Sequence, residues 1–184
     1  MLIHKGTQLL ETERLSLRPF LMEDARSMYD NWASDPEVTR YLTWPAHSSP
    51  AVTEAVLRSW TQAYSNPEFY QWAIVPKRLG VPIGGISVVS HDNRAEIAHI
   101  GYCIGRLWWH QGYTSEALAA VLNYLFDEVG FQRVESIHDT RNPHSGGVMR
   151  KCGMTYEGTH RRAAWTTSGI ADIDCYGILR EDRW

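Results

Sequence analysis

The chain has 184 residues, 43% of them hydrophobic and 21% charged, which excludes a disordered or fibrous chain and fits one domain, 1–184. Lys and Arg number 18 against 21 Asp and Glu, a net charge of −3 with histidine neutral, so no global field recruits nucleic acid or an anionic membrane. Cys103, Cys152 and Cys175 are far apart without CxxC spacing, which argues against a disulfide framework or a thiolate zinc site and points to a reducing cytoplasm.

The first ten residues lack the apolar run of a signal peptide, and no stretch reaches the roughly 20 apolar residues of a membrane helix. Arg14–Arg18 alternates like a strand and is stopped by Pro19. A helix is predicted from about Glu23, with Ala25, Met28, Tyr29 and Trp32 on one stripe, ending at Asp35-Pro36. A second begins after Ser49-Pro50, carries Val52, Val56, Trp60, Ala63 and Tyr64, and closes at Asn66-Pro67. Strands are read at Phe69–Val75, Ile83–Val89 and Ala95–Ile104, the last two as a hairpin through His91-Asp92-Asn93. A long helix, Thr114–Val129, ends at Gly130. Strand Arg133–Asp139, short helix Pro143–Cys152, and an antiparallel pair at Met154–His160 and Ile170–Leu179 complete the chain. A strand–helix–strand unit around Thr114 requires a parallel pair and the hairpins require antiparallel ones, so the sheet is mixed in an α/β fold.

Two turns carry the chemistry. At Gln111–Ser115 a buried strand passes through a turn containing Gly112 into a helix, with Thr114 or Ser115 as the expected N-cap. Free amides and the helix dipole make this an anion site, provided Glu116 in the first turn points away. Read alone, the turn is better taken as an ordinary strand-to-helix connection. The second turn is Asn142-Pro143-His144-Ser145, where helix capping by itself accounts for Asn142, and Arg150 and Lys151 complement the far end of the helix dipole.

Together these segments resemble the GCN5-related N-acetyltransferase (GNAT) superfamily, in the branch of the ribosomal-protein N-terminal-alanine acetyltransferases. The resemblance rests on Thr12-Glu13-Arg14-Leu15-Ser16-Leu17-Arg18, Ile100-Gly101-Tyr102, Trp109, Gly112-Tyr113, Asn142-x-x-Ser145, Lys151-Cys152-Gly153-Met154, Glu157-Gly158 and Tyr176-Gly177-Ile178-Leu179. It implies a single-domain, mostly antiparallel sheet with a splayed central parallel pair, flanked by helices. It also implies acetyl-CoA as co-substrate in the splay, with no metal. The backbone of Tyr102, Cys103 and Ile104 would hold the thioester and pantetheine. Trp109, His110, Gln111, Gly112, Tyr113, Thr114 and Ser115 would form the pyrophosphate loop, Lys151 would add a basic contact, and Asn142 would sit near the reactive end. Trp109 and Thr114 depart from the family's general loop pattern.

The acceptor implied is a primary amine, first of all a protein N-terminal α-amine. Freeing such an amine of its proton at pH 7 costs about 1 kcal/mol, against about 4.6 kcal/mol for lysine, so a modest base suffices. Where the branch commonly has a glutamate, this chain has His99. An imidazole accepts a proton at neutral pH, although a hydrogen-bonded strand histidine with water as base fits equally. Ser145 matches the position whose hydroxyl protonates the departing thiolate or orders a water. Glu96 on a regular strand would face the opposite side from His99. The N-terminal helices, with Trp32, Glu37 and Trp44, would border the acceptor, with Trp32 read as core. Alternatives are a small amine such as a polyamine, amino acid or antibiotic, and a CoA-binding domain without turnover. A metal hydrolase built from His91-Asp92, His138-Asp139 and His144 lacks ligand spacing. Nucleic-acid binding lacks a basic stripe. Aromatic surplus allows a homodimer without specifying its interface.

Overall fold

The computed structural model describes residues 2–183. Its strands are β1 (Leu10–Glu11), β2 (Leu15–Arg18), β3 (Gln71–Pro76), β4 (Gly84–Asp92), β5 (Ile97–Ile104), β6 (Arg133–Asp139), β7 (Thr155–Thr166) and β8 (Gly169–Leu179). They form one sheet in the order β1-β2-β3-β4-β5-β6-β8-β7. All neighbours pair antiparallel except β5 with β6.

The helices are α1 (Ala25–Met28), α2 (Pro36–Thr39), α3 (Pro50–Ala63), α4 (Tyr113–Asn123) and α5 (Pro143–Lys151). A 3-10 turn at Met22–Asp24 precedes α1 and a π turn at Tyr29–Ala33 follows it; a second π turn, Tyr124–Val129, extends α4. The sheet separates two apolar layers. On one side Leu118, Val121, Leu125 and Phe126 of the α4 segment meet Trp72, Ile86 and Ile100. On the other, Phe20, Met28, Trp32 and Leu57 meet Ala73 and Val75. Covered on both faces, β3 is buried along its whole length, as expected of a central strand.

Several elements differ from the sequence reading. Asp35-Pro36 ends one helical segment and also starts α2, because the Asp35 carboxylate accepts the Glu37 N–H at 2.9 Å and proline sits in the first turn. In α3 the buried face turns toward Thr53 and Leu57, leaving Val52 38% exposed. The last hairpin is longer at both of its inner ends, and closes through Thr167-Ser168 with Thr166 paired to Gly169. Helix α4 is capped by Gly112, at φ +79°, so Thr114 and Ser115 lie inside its first turn rather than at its cap.

The feature that makes room for a ligand is the brevity of the parallel pairing. Only Ile97, Ala98 and His99 pair with Arg133, Val134 and Glu135; beyond them the strands diverge. Ser136 Oγ still donates to the Ile100 carbonyl at 2.8 Å. The β6-facing edge of β5 from Gly101 onward then lies open, while its other edge remains paired with β4. Val89 is bulged out of register where β4 runs beside this divergence.

Candidate functional site

Two cavities meet at the open edge of β5. A cleft of about 500 Å³ lies between α4, α5 and the end of β5. An aromatic cavity of about 620 Å³ lies on the side of α1 and α3. Leu42, Tyr102 and Cys103 line both.

The α4–α5 cleft is built by two helix starts. The first intrahelical hydrogen bond of α4 runs from Glu116 N–H to the Gly112 carbonyl, 3.1 Å, so the amides of Gly112, Tyr113, Thr114 and Ser115 precede the ladder and carry the positive end of the dipole. Glu116 does point away. Its carboxylate accepts from Thr12 Oγ1 at 2.6 Å, the Arg14 N–H at 2.9 Å and Arg14 Nε at 2.6 Å. Burial opposes its ionisation, but these hydrogen bonds outweigh burial and hold the carboxyl below its usual range. Arg14 also donates to the Gln111 carbonyl at 3.0 Å. A Cβ at Gly112 would lie 3.4 Å from Arg14 Nη2 and 3.7 Å from Lys151 Nζ, which sets two cations beside the amide cradle. The conformation there is left-handed, which a glycine adopts at least cost.

Of the residues expected to hold the cofactor, Tyr102, Cys103, Ile104, Trp109, His110, Gly112, Thr114, Ser115, Asn142 and Lys151 line this cleft. Two do not bring their side chains to it. Gln111 Nε2 donates to the Leu107 carbonyl at 2.8 Å, and Tyr113 is buried in the core with its hydroxyl receiving Arg78 Nε at 3.3 Å. The Trp109 indole N–H is donated to the Ile104 carbonyl at 2.8 Å, so this side chain fixes the loop against the strand. Asn142 sits at the N-cap of α5, yet its side chain makes no capping hydrogen bond. Side-chain capping therefore does not account for it, and the residue stands in the cleft wall.

Ser145 is in the first turn of α5 and donates through Oγ to the Tyr102 hydroxyl at 3.2 Å, while Tyr102 donates to the Ser145 carbonyl at 2.9 Å. Burial pushes the Tyr102 phenol well above its ordinary value, so it stays protonated. His99 lies in the wall of the aromatic cavity with its side chain 19% exposed and Nδ1 3.5 Å from Glu135 Oε1. Glu135 is held in turn by Arg133 Nε at 3.2 Å, and Arg133 also forks onto Glu157. Glu96 is at φ +56°, ahead of β5 rather than on it. Burial pushes the Cys103 thiol up to about 12 and Cys152 up to about 11, and all three cysteines are free.

The aromatic cavity contains residues that sequence pattern did not assign to a site, among them Phe20, Tyr41, His47 and Trp60. They read as amphipathic helix or loop residues, and only folding brings them together. Trp32 is 1% exposed and lies in the core while also forming the cavity floor. Trp44 lines the cavity, but Glu37 does not; it faces Arg40 at 3.6 Å. Arg150 and His144 of the α4–α5 cleft were also not anticipated as lining residues. The histidines of the hydrolase alternative do not converge. Among the described residues, the group nearest to metal-ligand spacing is His4, Glu68 and His91, where Tyr70 and Asn93 hydrogen-bond the His4 ring and pin the N-terminal arm.

Comparisons with known proteins agree with this architecture. The family model described as an acetyltransferase (GNAT) domain matches residues 14–155. The chain is 27% identical over 172 residues to the uncharacterized N-acetyltransferase YoaA of Bacillus subtilis, covering 94% of this chain and 97% of that one. Among solved structures, a GNAT-family acetyltransferase from Bacillus anthracis superposes with a TM-score of 0.83 at 24% identity, over 95% of this chain and 99% of that one. RimL, a ribosomal L7/L12 α-N-protein acetyltransferase in complex with coenzyme A, superposes with a TM-score of 0.83 at 18% identity, over 94% and 98%. With the family model spanning most of the chain and the sheet opening at its one parallel pair, this protein belongs to the GNAT family of acetyltransferases.

Proposed function

We propose that the protein transfers the acetyl group of acetyl-CoA to a primary amine by direct attack in a ternary complex. The observation that carries this is the meeting of an anion-binding cleft and a separate aromatic cavity at Tyr102 and Cys103. The free amides of Gly112–Ser115, with Arg14 and Lys151 alongside, suit a pyrophosphate. The open edge of Gly101–Ile104 suits the amides of pantetheine, and Asn142 faces the same cleft. Coenzyme A in the RimL complex supports this ligand. The bound thioester supplies an activated acyl carbon; the chain supplies position and proton movement.

In this reading His99 takes the proton of the attacking amine, directly or through water, and Glu135 orients its ring from Nδ1. Ser145, poised on the Tyr102 hydroxyl, returns a proton to the departing thiolate. A covalent acyl-enzyme is disfavoured because the nearby Cys103 thiol is pushed up to about 12 by burial and is not ionised at neutral pH. The chain has no helix among its described residues long and apolar enough to cross a membrane, and we place the reaction in the cytoplasm, where its free thiols persist.

The first acceptor reading is a protein N-terminal α-amine, which a modest base can serve. A second, a small-molecule amine, is favoured by one observation: the tip of the β7–β8 hairpin closes onto the α2 segment beside the cavity. Calorimetric titration with acetyl-CoA, with dephospho-CoA in parallel, tests the core of the proposal. Micromolar affinity is expected, weaker for dephospho-CoA, and no binding at millimolar acetyl-CoA refutes it.

A further inference from the structure

The chemistry of the aromatic cavity restricts the acceptor. Phe20 and Trp60 stand with ring centroids 5.1 Å apart, and Trp44 lies 5.4 Å from His47. The lining contains no Lys or Arg, and its one carboxylate is Asp139. That carboxylate is fully engaged: Oδ1 accepts the Arg141 N–H and Nε, each at 2.9 Å, and Oδ2 accepts Nη2 at 2.6 Å. Burial opposes ionisation of Asp139, but the Arg141 hydrogen bonds win and hold its carboxyl low. Burial also lowers the His47 imidazole, which keeps it uncharged at neutral pH. Of the carboxylates on the α2 segment, Asp35 is bound by Arg106 at 2.5 Å and Glu37 faces Arg40, and neither lines the cavity.

The tip of the β7–β8 hairpin closes one side of the cavity. Thr167 N–H donates to the Leu42 carbonyl at 2.9 Å, Thr167 Oγ1 reaches the Thr39 and Arg40 carbonyls at 2.8 and 2.7 Å, and Ser168 Oγ reaches Arg40 at 2.7 Å. Residues on both sides of this joint, Tyr41 to Thr43 and Ala164 with Thr166, line the space beside it. A volume of about 620 Å³ is that of a small-molecule site.

Resting on the acetyltransferase reading above, and taking its small-molecule acceptor over the protein N-terminus, we propose that the acceptor is a compact amine on an aromatic body, carrying no charge other than its amine, such as an aromatic amino acid whose carboxyl group is masked as an amide. A second charge in this space, whether a carboxylate or a further ammonium, finds no Lys, Arg, Asp or Glu left unpaired, and beyond ring nitrogens such as the unpartnered His138 Nε2 it pays its desolvation with little return. The ring packs among Phe20, Trp44 and Trp60 and directs the amine to the junction at Tyr102. There the nitrogen lone pair forms a bond to the acyl carbon, the carbon–sulfur bond breaks with its electron pair leaving on sulfur, the amine proton passes to His99, and the thiolate is protonated to free CoA.

The full chain, with acetyl-CoA, is assayed by release of CoA thiol against L-tryptophanamide, L-tryptophan, spermidine and a pentapeptide beginning with Trp. Tryptophanamide is expected to exceed tryptophan and spermidine at least 100-fold in kcat/KM, and the pentapeptide at least tenfold. Trp44→Ala should raise KM for tryptophanamide with kcat changed less than threefold. The double variant Thr167→Val, Ser168→Ala, checked for fold by circular dichroism, should narrow the margin over the pentapeptide. Equal or better turnover of the pentapeptide, of spermidine or of free tryptophan overturns the acceptor assignment while leaving the acetyltransferase reading intact. So does binding of acetyl-CoA with no turnover of tryptophanamide. Failure of acetyl-CoA itself to bind would instead remove the reading on which the assignment rests.

Discussion

Gly112→Glu isolates the anion site from the fold. The residue caps α4 at φ +79°, where a non-glycine residue costs about 1–2 kcal/mol. The added Cβ meets only the ends of Arg14 and Lys151, at 3.4 and 3.7 Å, which is ordinary contact with flexible side chains. For a chain of this length such a cost lowers Tm by about 2–8 °C, and the protein stays folded. Binding suffers for a different reason. The new carboxylate stands among the free amides and the two cations that a pyrophosphate needs. Charged hydrogen bonds contribute about 1.5–3 kcal/mol each, and losing two weakens acetyl-CoA by at least about 100-fold. Gly112→Asn has the same backbone demand without the charge, and should stay within about tenfold of the native affinity. Calorimetry on both variants, after circular dichroism and a thermal melt, reads the comparison. A folded Gly112→Glu protein that binds acetyl-CoA within threefold of native would refute the placement of the anion at this turn.

Other perturbations probe separate parts of the structure. Asn142→Ala should change urea stability by less than about 0.5 kcal/mol, since no capping bond is lost, while kcat/KM falls; a loss of the about 1 kcal/mol typical of a cap would restore the structural explanation. Trp32→Ala removes a side chain 1% exposed and should cost about 3–5 kcal/mol, read from chemical denaturation. His99→Ala should lower kcat/KM about 100-fold without altering acetyl-CoA affinity, and an unchanged rate and pH profile would give the proton to water. Acid should destabilise the fold in a defined window. Hydrogen bonds from Arg183 and Arg133 hold Asp127 and Glu157 below their ordinary values, and at Asp139 those from Arg141 outweigh the opposing effect of burial. Depressed carboxyls add stability above their unfolded values of about 3.9–4.3 and lose it as pH falls through the folded ones. The urea midpoint should therefore hold from pH 7 to 5 and fall below about 4, and a decline complete above pH 5 would contradict these pairs.

What was legible in the sequence was local. The alternation at Leu15 and Leu17, the apolar stripe of Leu118, Val121, Leu122 and Leu125, and the turns ending at Gly112 and Asn142 are each set by a few neighbouring side chains. Most of the order of strands and helices followed from them, and with it the need for a parallel pair, while the short β1 and the separate α2 did not. Boundaries moved where a tertiary contact competed with local preference. The left-handed Gly112 began α4 two residues before the first hydroxyl expected to cap it. The β7–β8 hairpin grew because its tip found acceptors on Thr39, Arg40 and Leu42.

The tertiary structure alone decided how the site is assembled. That Glu116 turns to Arg14 rather than to the anion site depends on the β1–β2 turn about a hundred residues away in sequence. That Asp139 is neutralised by Arg141 depends on side-chain direction at the end of β6. The aromatic cavity joins Phe20, Trp44 and Trp60 of one apolar layer to His99 on β5, residues far apart in sequence. Periodicity records which face of an element is apolar, because that is fixed by its own backbone geometry. It holds no record of which distant face closes over it, because that partner is chosen by packing and by the hydrogen bonds the whole fold can satisfy.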